Sequence, residues 1–262
     1  MNADITAAEQ SPHNKDAAVL AGQTALISGG ARRLGAALTL ALARAGVATV
    51  VHYNASKEDA LRTVEAARAM GVRAWALQGD LSNHAIAASL VEEAIQIAGP
   101  IDYLINNASI FDETTFADTT PDAVHENVAI NAVAPMLLAR SFAAQERQGA
   151  VLNMLDTMIM DYDKRHVPYH LSKRMLQALT RIMALEFAPR IRVNAVAPGL
   201  ILPPAGYDNA YLEQLAHTNP LQRYGSPADI TDAALFLLRA EFICGQTLYV
   251  DGGRHLKGSM YE

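Results

Sequence analysis

The 262-residue chain has one cysteine, Cys244, and one tryptophan, Trp75. A single thiol excludes an internal disulfide framework and suits a reducing compartment. Charge is also scarce: 18% of residues are charged and the formal net charge is −6. There is no basic surplus to hold nucleic acid or an anionic membrane surface. No apolar run reaches the ~18 residues of a membrane span. The opening stretch, MNADITAAEQSPHNKDAAVLAG, lacks the basic start and apolar core of a secretory signal. It reads as a flexible polar tail over residues 1–21, ahead of one folded unit at 22–262. A cytoplasmic location is expected, with no metal, nucleic-acid or membrane partner.

Hydrophobic residues make up 51% of the chain. From Thr24 they are organised as short β-rich runs alternating with amphipathic helical stretches. TALIS, ATVVHY, VRAWALQ, IDYLIN, GAVLNML, IRVNAVA and QTLYV read as strands. The segments between most of them read as helices. The one after Pro121 breaks near Pro135, and those ending on Gly71 and Gly99 stop at glycine. Such βα alternation predicts an α/β fold: a doubly wound parallel sheet of about seven strands with helices on both faces, the Rossmann architecture. Residues 199–226 are too long for an ordinary connection and read as an irregular functional flap.

The first strand runs into SGGARRLG and then a helix. Gly29 and Gly30 let the chain turn sharply and bring backbone N–H groups to a pyrophosphate. Gly35 lets the helix pack on the sheet, and the helix N-terminus favours an anion. Arg33 stands where such turns usually place their middle glycine. The second strand ends in His52-Tyr53-Asn54-Ala55-Ser56, with no carboxylate before Glu58. NAD-binding folds put an acid there for the ribose 2′-hydroxyl. Its absence, with Arg32 on the turn and Asn54 and Ser56 nearby, favours NADPH, unless Arg32 is simply a solvated charge. Asp80, after the third strand, either accepts from an adenine amino group or caps the next helix, a duty Ser82 also suits.

Tyr169 and Lys173 are four residues apart, on one face of a helix. An ammonium beside a phenol lowers its pKa and readies it as a proton donor. Asn131, in the preceding long helix, either holds a water that extends a proton relay or is only a polar residue.

From about residue 22 to 255 the chain resembles the short-chain dehydrogenase/reductases. The carriers are SGGARRLG, GDLS, NNAS at 106–109, Asn131, YHLSK, RVNAVAPG and VDGG. The resemblance implies that Tyr169 donates a proton, Lys173 holds the nicotinamide ribose and Asn131 completes the relay. It implies a cofactor crevice formed by Ser28, Gly29, Arg32, Arg33, Leu34 and Gly35 on the turn. His52, Tyr53, Asn54, Ser56, Asp80 and Leu81 would flank it. Asn107, Ala108, Ser109, Tyr169, Lys173, Pro198, Gly199 and Leu200 would lie toward the nicotinamide.

Two departures narrow the resemblance. Asp156 stands 13 residues before the tyrosine, where the family usually has serine. An ionised carboxylate repels a developing oxyanion but suits a proton-accepting nitrogen heterocycle. Arg33 is the other departure. Both, with HYNAS and NNAS followed by Phe111, resemble the pteridine reductases. That subgroup implies a pterin stacked on Phe111, contacts from Arg33, Ser109 and Leu200, and proton transfer by Asp156 and Tyr169. It also implies a homotetramer whose C-termini, including Lys257 and GSMYE, approach a neighbouring site. Ile201, Leu202, Pro203 and Pro204 make the flap apolar where related reductases often place a polar contact.

The leading expectation is an NADPH-dependent reductase of a dihydropterin, such as dihydrobiopterin, dihydromonapterin or dihydrofolate. One alternative is a general short-chain reductase of carbonyls. Another is a non-catalytic NADPH-sensing regulator, against which the intact Asn131, Tyr169 and Lys173 argue.

Overall fold

A computed structural model describes residues 20–204 and 206–257. Most of the expected tail, and the GSMYE segment, lie outside the described residues. Leu20, within the expected tail, is buried in the cluster that holds Ile27, Leu38 and Leu42.

Seven parallel strands form one sheet in the order β3-β2-β1-β4-β5-β6-β7. They are β1 (Thr24–Ile27), β2 (Ala48–Tyr53), β3 (Ala74–Gln78), β4 (Tyr103–Asn106), β5 (Gly149–Met154), β6 (Ile191–Pro198) and β7 (Thr247–Val250). Side chains alternate across the sheet with period two. Leu26, Leu104, Val151 and Val193 face one side. There they pack under α3 (His84–Ala98), α5 (Ala134–Ala143) and α6 (Val167–Phe187). Ala25, Ile27, Ile105 and Leu152 face the other, under α1 (Arg33–Arg44) and α8 (Pro227–Arg239). α2 (Lys57–Arg68) covers the β2–β3 edge. The strand order reverses between β1 and β4, which opens a crevice at their C-terminal ends.

Three local expectations are corrected. The cap of α3 is neither Asp80 nor Ser82 but Asn83, whose side chain accepts from the N–H groups of Ala85 and Ile86. Asp80 instead accepts from the Ser82 N–H, making a tight turn. The break near Pro135 is a π-helical turn, Ala129–Val133, between α4 (Pro121–Val128) and α5. The flap is not wholly irregular: it contains α7 (Asn209–Leu215) and a 3₁₀ turn, Ala216–Thr218.

Candidate active site

Two cavities meet at the C-terminal edge of the sheet. One, of about 460 Å³, runs along the β1–α1 turn. The other, of about 570 Å³, lies between the ends of β5 and β6 and the flap. Arg33, Leu34, Asn107 and Ser109 line both.

The turn is held from two sides. Asn107 Nδ2 donates to the carbonyls of Ser28 and Gly29, each at 3.0 Å. Ser28 Oγ accepts from the N–H groups of Asn107 and Ala108. Ser28 is therefore a buried clasp between β1 and β4 and lines neither cavity. His52 works from the other side. Its Nδ1 accepts from the Gly29 N–H at 3.1 Å, and its Nε2 pairs with the Gly79 carbonyl at 3.0 Å. Burial pushes its pKa down to about 4, so the ring is neutral and donates through Nε2. The Gly30 N–H goes to the His52 carbonyl.

These bonds correct the expected phosphate contacts. The N–H groups of Gly29 and Gly30 are committed to β2 and are not offered to an anion. Those of Leu34 and Gly35, in the first turn of α1, have no partner among the described residues. They are what a helix N-terminus presents to phosphate. A Cβ at Gly35 would lie 2.0 Å from the Gly29 carbonyl oxygen, so only glycine permits this packing. The crevice fits a dinucleotide with a 2′-phosphate. No carboxylate ends β2; Arg32, Tyr53, Asn54 and Ser56 line that end, and Asp80, Leu81 and Ala108 lie beyond. Arg32 is exposed, with only a 3.9 Å approach to Asp59.

Arg33 adopts φ 51°, a left-handed conformation that disfavours side chains. Its guanidinium donates to the Pro203 carbonyl and so spans from the turn to the flap. The flap's polar contact toward the turn is thus main chain, although Ile201, Leu202 and the two prolines are apolar. Pro198, Gly199 and Leu200 line the larger cavity. A Cβ at Gly199 would meet Asp251 Cβ at 2.6 Å, so the VDGG segment fits closely behind it.

Asp156, Tyr169 and Lys173 line the larger cavity. Tyr169 donates its hydroxyl proton to Asp156 Oδ2 at 2.9 Å, and Asp156 Oδ1 accepts from the Met158 N–H at 2.7 Å. Lys173 Nζ donates to the Met154 carbonyl and sits 5.5 Å from the Tyr169 ring centre. Tyr169 and Lys173 are buried, and Asp156 is half-buried. Burial pushes the Lys173 ammonium down to about 8, opposed by Asp156. Burial raises the Asp156 carboxyl, against the hydrogen bonds it receives. Tyr169 is driven well above its ordinary range by burial and then by Asp156. The expected lowering of the phenol by Lys173 is overturned in this arrangement. Burial is the largest cause, and the Asp156 carboxylate adds to it, while Lys173 Nζ bonds the Met154 carbonyl. Burial raises the proton affinity of both groups, and perturbed groups of this kind mark candidate acid–base sites.

Asn131 is fully buried in the π turn. Its Oδ1 accepts from the Ile110 N–H and Ser109 Oγ, and its Nδ2 donates to the Ile110 carbonyl and Ser172 Oγ. The carboxamide thus holds the 109–111 loop against α6. Pro135, four residues on, has no N–H to give the Asn131 carbonyl, which is freed from the α-helical pattern.

Phe111, 47% exposed, makes a T-shaped pair with Tyr169, ring centres 4.6 Å apart. Its face stacks on His166 at 4.2 Å. The sequence reading missed His166 and Asp163, which accepts from it at 2.8 Å. An Asp three residues before a His, just ahead of a proline-started helix, was the available signal. It also missed Tyr207, Tyr211 and Arg254 on the cavity wall. Met154 and Met158 line the wall, whereas Met160 is exposed. Lys257 donates to the chain's own His217 carbonyl.

Residues 29–255 match the family model described as enoyl-(acyl carrier protein) reductase. An uncharacterized oxidoreductase of Mycobacterium tuberculosis is 34% identical over 247 residues, covering 88% of this chain and 91% of its own. The chain belongs to the short-chain dehydrogenase/reductase family. Another member, 3-oxoacyl-[acyl-carrier-protein] reductase FabG of Staphylococcus epidermidis, is 30% identical over 250 residues, covering 89% and 99%. Among solved structures, FolM alternative dihydrofolate reductase 1 of Brucella canis, complexed with NADP, superposes with a TM-score of 0.84. It is 31% identical, over 91% of this chain and 96% of that one. This short-chain dehydrogenase/reductase is an oxidoreductase by family. None of its helices among the described residues is long and apolar enough to cross a membrane.

Proposed function

We propose that the protein is an NADPH-dependent reductase of a dihydropterin. The observation that carries this reading is the 2.9 Å hydrogen bond from Tyr169 to Asp156 in a cavity walled by Phe111. NADPH, bound along the β1–α1 turn, supplies the hydride. Leu34 and Gly35 N–H groups and Arg33 hold its phosphates, and Arg32, Asn54 and Ser56 hold its 2′-phosphate. Lys173 holds the nicotinamide ribose. Phe111 takes the flat bicycle on its ring, and Arg33, Ser109 and Leu200 border its edge. Tyr169 and Asp156 keep a proton ready for a ring nitrogen as hydride reaches the adjacent carbon. The Asn131 carbonyl holds the water that returns a proton through Lys173. An alkoxide forming beside Asp156 would be repelled, whereas a nitrogen gaining a proton is stabilised. The Brucella FolM likeness supports the same substrate class, and the family resemblance supports a homotetramer.

A carbonyl reductase is the second reading, favoured by the likeness to the Staphylococcus 3-oxoacyl reductase. The test is NADPH consumption by purified protein offered dihydrobiopterin, dihydromonapterin, dihydrofolate and a set of ketones, with NADH in parallel. Pterin turnover with preference for NADPH is expected. Turnover of ketones alone would replace the first reading with the second.

A further inference from the structure

Phe111 stands on a loop, and a loop side chain that must receive a flat ring needs something to fix its attitude. Asn131 holds the loop at Ser109 and Ile110, and a second tie lies past Phe111. Thr114 pairs with His166: the Thr114 N–H donates to the Arg165 carbonyl at 2.7 Å and the Val167 N–H to the Thr114 carbonyl at 3.1 Å. Glu113 adds a two-pronged contact from Arg165, at 3.0 and 2.6 Å. This contact is exposed and contributes little by itself.

The stronger constraint is on the rings. The His166 and Phe111 ring planes lie 17° apart at 4.2 Å, a parallel stack. Phe111 and Tyr169 stand at 82° to each other, a T-shaped pair. His166 thus covers one face of Phe111, and the ring remains 47% exposed. His166 cannot turn freely beneath it. Its Nδ1 is bonded to Asp163 Oδ2, and its backbone N–H to Asp163 Oδ1. Asp163 is almost fully buried and also accepts from the Arg165 N–H. Burial works against its charge, but the bonds from His166 and Arg165 hold the carboxyl below its ordinary range. The carboxylate is thus a fixed anchor for the imidazole.

We infer that His166, locked by Asp163, is a positioning residue for the substrate: it backs Phe111 so that the other face of that ring receives a planar heterocycle at the height of Tyr169. The stack then runs Asp163-anchored His166, Phe111, substrate ring. His166 acts through Phe111 and touches neither hydride nor proton. This rests on the reading of the cavity as a site for a flat bicyclic ring. It assigns a function to two residues outside the Tyr169–Lys173 machinery.

The experiment uses the full chain saturated with NADPH. It titrates a non-reducible 2,4-diaminopteridine and, separately, measures KM and kcat for dihydropterin. His166→Ala removes the backing face. It is expected to weaken pteridine binding and raise KM about five- to tenfold, the worth of one aromatic stack. The fall in kcat is smaller, and NADPH affinity holds. His166→Phe restores a face without the bond to Asp163 and recovers most of the loss. His166→Gln keeps a polar partner for Asp163 but no ring, and behaves like His166→Ala. If His166→Ala does not fold, the Phe and Gln variants decide by the same ordering. The inference is overturned if His166→Phe binds as poorly as His166→Gln, or if all variants bind like wild type. Wild-type protein that binds the pteridine without reducing any pterin would sink the proposed reaction and leave this comparison intact. Wild-type protein that does not bind it overturns both.

Discussion

Arg33 shows how a single residue can trade stability for function. Its φ of 51° is a conformation glycine adopts without strain. The family's turns usually have glycine there, yet this chain keeps a long cation, exposed and reaching the flap carbonyl of Pro203. A strained non-glycine residue of this kind costs on the order of 1 kcal/mol or more. Arg33→Gly is therefore expected to raise unfolding stability by about 1 kcal/mol, by denaturant titration. The same variant is expected to lose pterin affinity and to weaken NADPH binding, because the phosphates lose a charge and the bicycle its edge contact. A less stable variant with normal kinetics would contradict this role. The strain itself was not readable in the residue letters. The substitution of arginine for glycine was, and it marked the site.

Among the elements, β2 controls the cofactor turn through one side chain. His52 joins the β1–α1 turn to the loop after β3, accepting from Gly29 and donating to Gly79. The fold needs the neutral ring, since its pKa falls from 6.5 to about 4. A histidine with a lowered folded pKa contributes fully above its unfolded value and loses that contribution as pH falls. The window is thus pH 6.5 down to about 4, and the amount is roughly 3 kcal/mol. His52→Gln removes this titration. The stability gap between wild type and variant should be large at pH 7 and close toward pH 4. A gap independent of pH would mean that the ring's protonation state is not what holds the turn. Sequence reading found every strand and most helices, because alternating apolar runs and terminal glycines fix period and boundary. It placed His52 beside the cofactor but not inside the clasp. The imidazole's partners, Gly29 and Gly79, come from two different connections, and no local pattern records such a meeting. The same holds for the π turn: Pro135 announced a break, but its form depends on how α4 and α5 pack on α6.

At the scale of the whole molecule, the strand order puts two cavities at one sheet edge and makes them share Arg33, Asn107 and Ser109. Hydride and proton can therefore reach neighbouring atoms of one ligand. The pairing of Asp156 with Tyr169 was legible as a spacing of 13 residues between two motifs. Its electrostatic sense was not, because burial and then the Asp156 carboxylate raise the phenol, and burial depends on how the whole chain packs. The central claim is that this pair protonates a ring nitrogen and disfavours an oxyanion. The most direct measurement is kcat/KM of Asp156→Ser against wild type on a dihydropterin and on a ketone, with NADPH saturating. Loss of a general acid predicts a fall of about a hundredfold on the pterin. Ketone turnover should be unchanged or higher. Full pterin activity in the variant, or an equal loss on both substrates, would contradict the account.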